Sequence, residues 1–293
     1  MCLVAFAINA SRRWPLVIAS NRDEFFNRPT LPMARWTTAK GHDILSGRDL
    51  RAGGTWLGMT PGGRIAWLTN VRQSSMPPSP SSRGDLVMQW LEDDMDAAGF
   101  MAMTDPYAFG GFNLVLGDFQ TGCWTWLSNR VFDNAADDHN PHRAEARGWS
   151  SRALADGIYG LSNAALDTPW PKTLCLKASL TSALSGDGDG GDIEKLKAPL
   201  WQALASRQQA ATNDLPDTGL PVELEQALSS AFVDDGGRGY GTRCSTVLVA
   251  SRTGDENDSG WDIQVEEKTI TRQHPGAAWP AVNHSLYWQR ASI

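Results

Sequence analysis

The chain opens on an unbroken apolar run, Cys2 to Ile8. A run without polar alternation predicts a strand covered on both faces. Asn9 to Pro15 is rich in turn formers, and Leu16-Val17-Ile18-Ala19 predicts a second strand. The start of the chain is therefore expected inside a core, although most termini are loose. Gly53 to Met59 runs through Thr60-Pro61-Gly62-Gly63 into Arg64 to Asn70, a strand–turn–strand pattern. Ser74 to Ser82, rich in Ser and Pro, predicts a surface loop.

A first helix is expected over about Arg83 to Met95, with Ser82 and Asp85 as a capping box. Its apolar pairs, Leu86 with Trp90 and Val87 with Leu91, share one face. Gly111 to Gly117 and Cys123 to Leu127 predict another antiparallel strand pair. Further helices are expected near 172–184, 193–206 and 223–232, then strands over Cys244 to Ser251 and Trp261 to Thr271. Strands joined by hairpins, with helices grouped between them, predict an α+β layered fold and exclude a doubly wound parallel one. No repeat or linker interrupts the pattern, so residues 1–293 read as a single domain.

Composition narrows the function. The net charge is −7 over 293 residues, which argues against nucleic acid or an anionic membrane as the main partner. No stretch approaches the ~20 apolar residues of a membrane-spanning helix. Ser11-Arg12-Arg13-Trp14-Pro15-Leu16 has the look of a twin-arginine export signal. The apolar stretch behind it is too short and a charged run follows at once, so the arginines are assigned to a hairpin loop. Cys2, Cys123, Cys175 and Cys244 are widely spaced, as expected for reduced thiols in the cytoplasm. The 13 tryptophans are a high count: many are expected in the core, and the number permits an apolar, aromatic pocket.

The candidate chemistry starts at Cys2. Removal of Met1 would give one residue both a thiol and a free α-amine, a nucleophile and a base together. An α-amine titrates at about 7.7–8.0, close to neutrality. Asn21-Arg22-Asp23-Glu24 closes the second strand, one hairpin from Cys2. An Arg lowers a nearby thiol pKa, and an Asp can hold an ammonium in place. Asn70 ends the second hairpin strand, Asn163 lies in a predicted turn at Gly160-Leu161-Ser162-Asn163, and Arg243 stands at the mouth of the Cys244 strand. Asp187 to Asp192 lacks the bidentate Glu of a calcium loop, since Ala198 takes its place. Asp192 is expected instead to cap a helix. His139 and His142 lack a third ligand, and no phosphate-binding loop or Gly-x-Ser-x-Gly motif is present.

Met-Cys at the start, Asn21-Arg22-Asp23-Glu24 followed by Phe25-Phe26-Asn27-Arg28-Pro29, Gly53-Gly54-Thr55-Trp56-Leu57-Gly58 and Tyr159-Gly160-Leu161-Ser162-Asn163 together resemble the NRDE family, also called the transport and Golgi organisation 2 family. That family is similar to the N-terminal-nucleophile hydrolases, which implies a four-layer αββα sandwich of antiparallel sheets. It implies cleavage of an amide of a small acyl substrate by Cys2, supported by Arg22 and Asp23. Arg22 is offset from the spacing of the corresponding Arg. Asn163, with the backbone of Asn70, is implied as the oxyanion site and Arg243 as a late Arg beside the thiol. No cofactor is required for this reading. A second reading from the same resemblance is a carrier in haem trafficking or lipid and acyl-CoA metabolism, with Cys2, a Met or a His as iron ligand.

Overall fold

A computed structural model describes residues 2–73, 79–131, 147–185, 192–253, 260–270 and 281–289. The apolar opening forms β1 (Cys2–Ile8), paired antiparallel with β2 (Leu16–Phe25) through the expected hairpin. The first sheet continues with β10 (Gly157–Leu161) beside β1, and with β12 (Tyr240–Thr253), β13 (Gly260–Thr269) and β14 (Ala281–Gln289) beyond β2. A short β11 (Asp234–Asp235) pairs with β12. The second sheet is a meander of β3 (Thr30–Thr37), β4 (Asp43–Asp49), β5 (Leu57–Met59), β6 (Arg64–Asn70), β7 (Phe112–Asp118), β8 (Cys123–Arg130) and β9 (Arg147–Ala153). All the strand pairs are antiparallel.

The period-2 alternation of β1 explains its burial on both sides. Val4, Phe6 and Ile8 face the second sheet, where the Phe6 ring meets Trp67 edge-on at 5.0 Å. Leu3, Ala5 and Ala7 face the other way, onto Leu176 and Leu180 of α3 (Pro171–Ser185) and Leu196 and Leu200 of α4 (Ile193–Leu204). On the outside of the second sheet lie α1 (Gly84–Leu91) and α2 (Ala97–Met103). There the Arg64 guanidinium of β6 stacks 3.6 Å from the Trp90 ring of α1. Helix, sheet, sheet and helix make the four-layer αββα sandwich. A last helix, α5 (Val222–Ala227), precedes β11.

Several local expectations are corrected. β3 and β4 have no counterpart among the predicted strands, because β3 is an edge strand exposed along most of its length and carries no apolar run. The Ser82–Asp85 capping box forms only in half: the Asp85 carboxylate accepts from the Ser82 N–H, but Arg83 is the N-cap of α1 and makes no side-chain bond. The first helix stops at Leu91, not Met95. The helix expected over 223–232 ends at Ala227. Gly160 and Leu161 end strand β10 and do not belong to a turn. Asp192 does cap α4, accepting from Glu194 N–H. His139, His142 and the acidic run 187–191 lie outside the described residues. No described helix is long and apolar enough to cross a membrane.

Candidate active site

Cys2 is the first residue of β1 and continues the inter-sheet face of Val4 and Phe6. At this end the two sheets leave a cavity of about 100 Å³, which Cys2 lines with Arg22, Asp23 and Asn70. Four of the six candidate residues from the sequence therefore meet in one place. Cys2 and Arg22 are paired directly across the hairpin. Burial pushes the Cys2 thiol pKa up, while Arg22 and the backbone N–H of Asp23, which donates to the thiol, pull it down. Burial wins, so the thiol is neutral at rest.

Arg22 is held by its neighbours. Its guanidinium lies 4.2 Å from the Trp56 ring, and its Nη2 is 3.8 Å from both Glu24 and Asp49. Arg28 bridges to Asp49 at 2.5 Å. Burial alone would raise the Asp49 pKa, but the Arg28 bond and the N–H groups of Ala52 and Arg51 outweigh it and hold the carboxyl below its usual range. Trp56 reaches the cavity because Gly47 of β4 has no Cβ: one built there would come 2.3 Å from the indole ring. A second close approach seats α1. A Cβ on Gly54 would come 2.6 Å from the Gly84 carbonyl carbon. The bare contact brings Ser82, Arg83 and Gly84 to the cavity wall. Burial brings the Arg83 pKa down to about 10.

Asp23 is one residue further along β2, and its side chain leaves the opposite face of the sheet. The preceding residue on that face, Asn21, donates from Nδ2 to the carbonyls of Leu204 and Ala231, in the helical layer. Asp23 Oδ1 accepts from the Thr242 hydroxyl at 2.7 Å, and the Asp23 carbonyl accepts from the Tyr240 hydroxyl. Burial raises the Asp23 carboxyl, opposed first by the charge of Lys172. The two sequence neighbours thus part: Arg22 serves the thiol face, Asp23 the helix face.

Asn163 and Arg243 stand one step behind the cavity. Asn163 Nδ2 donates to the Asn70 carbonyl at 2.8 Å. The Ser162 hydroxyl lies 3.2 Å from both the Cys2 carbonyl and Asn163 Oδ1. The segment after β10 therefore ties β1 to β6. Arg243 occupies a β-bulge in β12. Its Nη1 donates to the carbonyls of Phe25, Phe26 and Arg28, clamping the turn that carries Arg28. Among the cavity's other residues, Trp56 and Arg28 sit inside the motifs that carry the family resemblance. Asp49, Arg83 and the nearby Lys172 have no signal in the sequence at all.

Among the described residues no group of His, Cys, Asp and Glu is arranged to hold a metal ion. A haem does not fit beside Cys2: the cavity is smaller than the ~300–1,000 Å³ of pockets for drug-sized ligands, and its walls are charged.

Comparison with known proteins adds the following. The family model for Transport and Golgi organisation 2 matches residues 1–263. A Bos taurus Transport and Golgi organization protein 2 homolog is 31% identical over 99% of this chain and 100% of its own length. The Mus musculus homolog is 29% identical over 92% of this chain and 99% of its own. Among solved structures, a Caenorhabditis elegans ortholog of N-acylethanolamine-hydrolyzing acid amidase is similar at TM-score 0.48 and 11% identity, covering 85% of this chain and 92% of that one. A conjugated bile acid hydrolase from Clostridium perfringens is similar at TM-score 0.48 and 9% identity, covering 97% and 92%. These structural likenesses are distant, whereas the sequence match spans both sheets and every residue of the cavity. The chain belongs to the Transport and Golgi organisation 2 family.

Proposed function

We propose that this chain is an N-terminal cysteine hydrolase that cleaves the C–N bond of a small acyl amide. The observation that carries the reading is Cys2 at the head of a central strand, its thiol in a cavity shared with Arg22, Asp23 and Asn70. Once Met1 is removed, the Cys2 amine takes the thiol proton, directly or through water. The thiolate forms a C–S bond to the carbonyl carbon, and the carbonyl electron pair moves to oxygen. The side-chain amide of Asn70, whose backbone carbonyl Asn163 holds, supplies the oxyanion donor in place of the Asn163 side chain; a donor of this kind is worth about 10²–10³ in kcat. Collapse expels the amine, which takes its proton from the Cys2 ammonium. Water then hydrolyses the thioester, with the Cys2 amine again as base.

The cavity also supports the size and polarity of the substrate. About 100 Å³ between Trp56, Leu68 and charged walls suits a short polar acyl group better than a long hydrocarbon chain. The test is intact mass of the chain purified from its own host, before and after exposure to small acyl nitroanilides. The expected result is a chain lacking Met1 that gains one acyl group on Cys2, and no gain in Cys2→Ala. A native chain that keeps Met1 would sink the free-amine step.

A further inference from the structure

A second cavity, of about 640 Å³, lies in the helical layer between α3, the end of α4 and the segment 206–214 that follows it. It is several times larger than the cavity at Cys2 and falls within the ~300–1,000 Å³ of small-molecule sites. Leu176, Leu180, Leu196 and Leu200 fill the sheet side of the α3–α4 pair. Away from the sheet the walls carry Ser179, Pro199 and Ala203, side chains too short to close the gap.

The third wall is tied in place. Ala210 N–H donates to Ser229 Oγ at 2.9 Å, and Gln226 Nε2 donates to the Ala210 carbonyl at 2.7 Å. Phe232 N–H donates to the Ser206 carbonyl at 2.8 Å. The cavity is therefore preformed, as ligand sites usually are.

Its floor is Lys172, Leu176, Ser229 and Ala231, all buried. Lys172 is only 6% exposed, and lysine is almost never buried that far unless paired. Among the described residues its Nζ makes one hydrogen bond, to the Leu228 carbonyl at 2.9 Å, and no ion pair. An ammonium has three donors. Leu228 directly precedes Ser229 of the floor, so that bond holds the ammonium at the base of the cavity. Burial and then the like charge of Arg72 bring the Lys172 pKa down to about 8, while Asp23, Cys2 and Glu225 each act more weakly in its favour. Arg72 is itself paired with Glu225. Lys172 is thus charged at neutral pH with no carboxylate bonded to it. The one acid among the described lining residues, Asp214, is exposed, where water and salt screen it.

We propose that this cavity is a second ligand site, built for a small organic carboxylate whose anionic group pairs with the Lys172 ammonium and whose apolar body lies between α3 and α4. The carboxylate supplies the charged partner that a buried ammonium requires, in a strong charge-assisted bond. Leu176, Pro199 and Ala203 flank the apolar body, and Gln202 offers an amide to any polar group further out. The site works independently of the chemistry at Cys2.

Cys175 reports on the site, because its thiol is exposed and lines the cavity. Cys123, exposed at the start of β8 in the second sheet, is the reference within the same chain. The experiment is the rate of iodoacetamide alkylation at both thiols, read by peptide mass on the full chain, with rising 4-phenylbutyrate. Alkylation of Cys175 is expected to slow by about tenfold once the probe is an order of magnitude above its half-effect concentration, with Cys123 unchanged. The uncharged 4-phenylbutanol is expected to need about tenfold more for the same protection, and Lys172→Met to weaken 4-phenylbutyrate by a similar factor. A Cys175 rate indifferent to 4-phenylbutyrate would overturn the site. Equal protection by the acid and the alcohol would overturn the carboxylate class and the role of Lys172. Should Lys172→Met fail to fold, Ala203→Trp decides, since its indole fills the cavity without replacing the lysine. Equilibrium dialysis of labelled 4-phenylbutyrate is expected to find one bound per wild-type chain and none in Ala203→Trp. Unchanged binding in that variant would overturn the proposal.

Discussion

Cys2 of β1 and Arg22 of β2 are direct cross-strand partners, so their side chains leave the same face of the sheet at the same height. The pairing puts a fixed positive charge beside a thiol that burial keeps neutral. Arg22→Met is expected to slow alkylation of Cys2 at pH 7.5 by about tenfold, one pKa unit's worth of thiolate. It also removes the cation–π contact with Trp56, worth about 0.5–2 kcal/mol. Alkylation kinetics and thermal unfolding read the two effects separately. An unchanged rate would mean that Arg22 does not act on the thiol.

Asn70 and Asn163 are joined by one hydrogen bond but stand in different places. Asn70→Ala is expected to slow acylation of Cys2 by about 10²–10³ with little change in stability. Asn163→Ala should slow it too and, by leaving the part-buried Asn70 carbonyl without the Asn163 donor, destabilise the fold by about 1 kcal/mol. Single-turnover acylation and urea unfolding distinguish them. Equal stability loss in both variants would show that the division of roles is wrong.

Gly47→Ala puts a methyl group where the Trp56 indole lies. The ring must move, at a cost of about 1–3 kcal/mol, and its movement disturbs Arg22. A fall in the unfolding midpoint together with slower Cys2 alkylation is the expected outcome. A stable variant with full reactivity would show that Trp56 is not what holds Arg22.

Glu267 is fully buried in the first sheet, accepting from Met33 N–H at 2.8 Å, and burial raises its pKa. A raised carboxyl contributes stability that is present below its ordinary value, about 4.5, and is lost as pH rises through the folded value. Glu267→Gln keeps an acceptor for Met33 and removes the titration. Its stability should match wild type at pH 4 and exceed it at pH 7, as read by unfolding midpoints across that range. A variant less stable than wild type at pH 7 would contradict the cause assigned to the shift.

The core strands and the place of Cys2 were legible because both depend on local pattern. An apolar run that begins at Cys2 and a polar quartet after Ser20 are visible without the fold. β3 was not, since an exposed edge strand has no apolar period to betray it. Arg83 comes to the cavity through a glycine contact between distant segments, Gly54 with Gly84, and Asp49 through its bonds to Arg28 and Arg22. Such contacts leave no trace in spacing. Asn163 and Arg243 were legible as neighbours of the site but not as its supports. Which carbonyls a side chain meets is decided by strand order, and β10 lies beside β1 although about 150 residues separate them.

The bulge at Arg243 lets one strand keep two alignments. Before it, Thr242 stands opposite Asp23; after it, Cys244 stands opposite Arg22. Straightening β12 with Arg243 kept in the ladder would force a choice. Either Thr242 loses Asp23, or everything from Cys244 to Ala250 turns over, exchanging the face that meets the second sheet for the face that meets the helices. The bulge is therefore what lets Arg243 be added at the rim of the cavity, where it clamps the Phe25–Arg28 turn, without shifting either the Thr242 pairing or the packing along the body of the sheet.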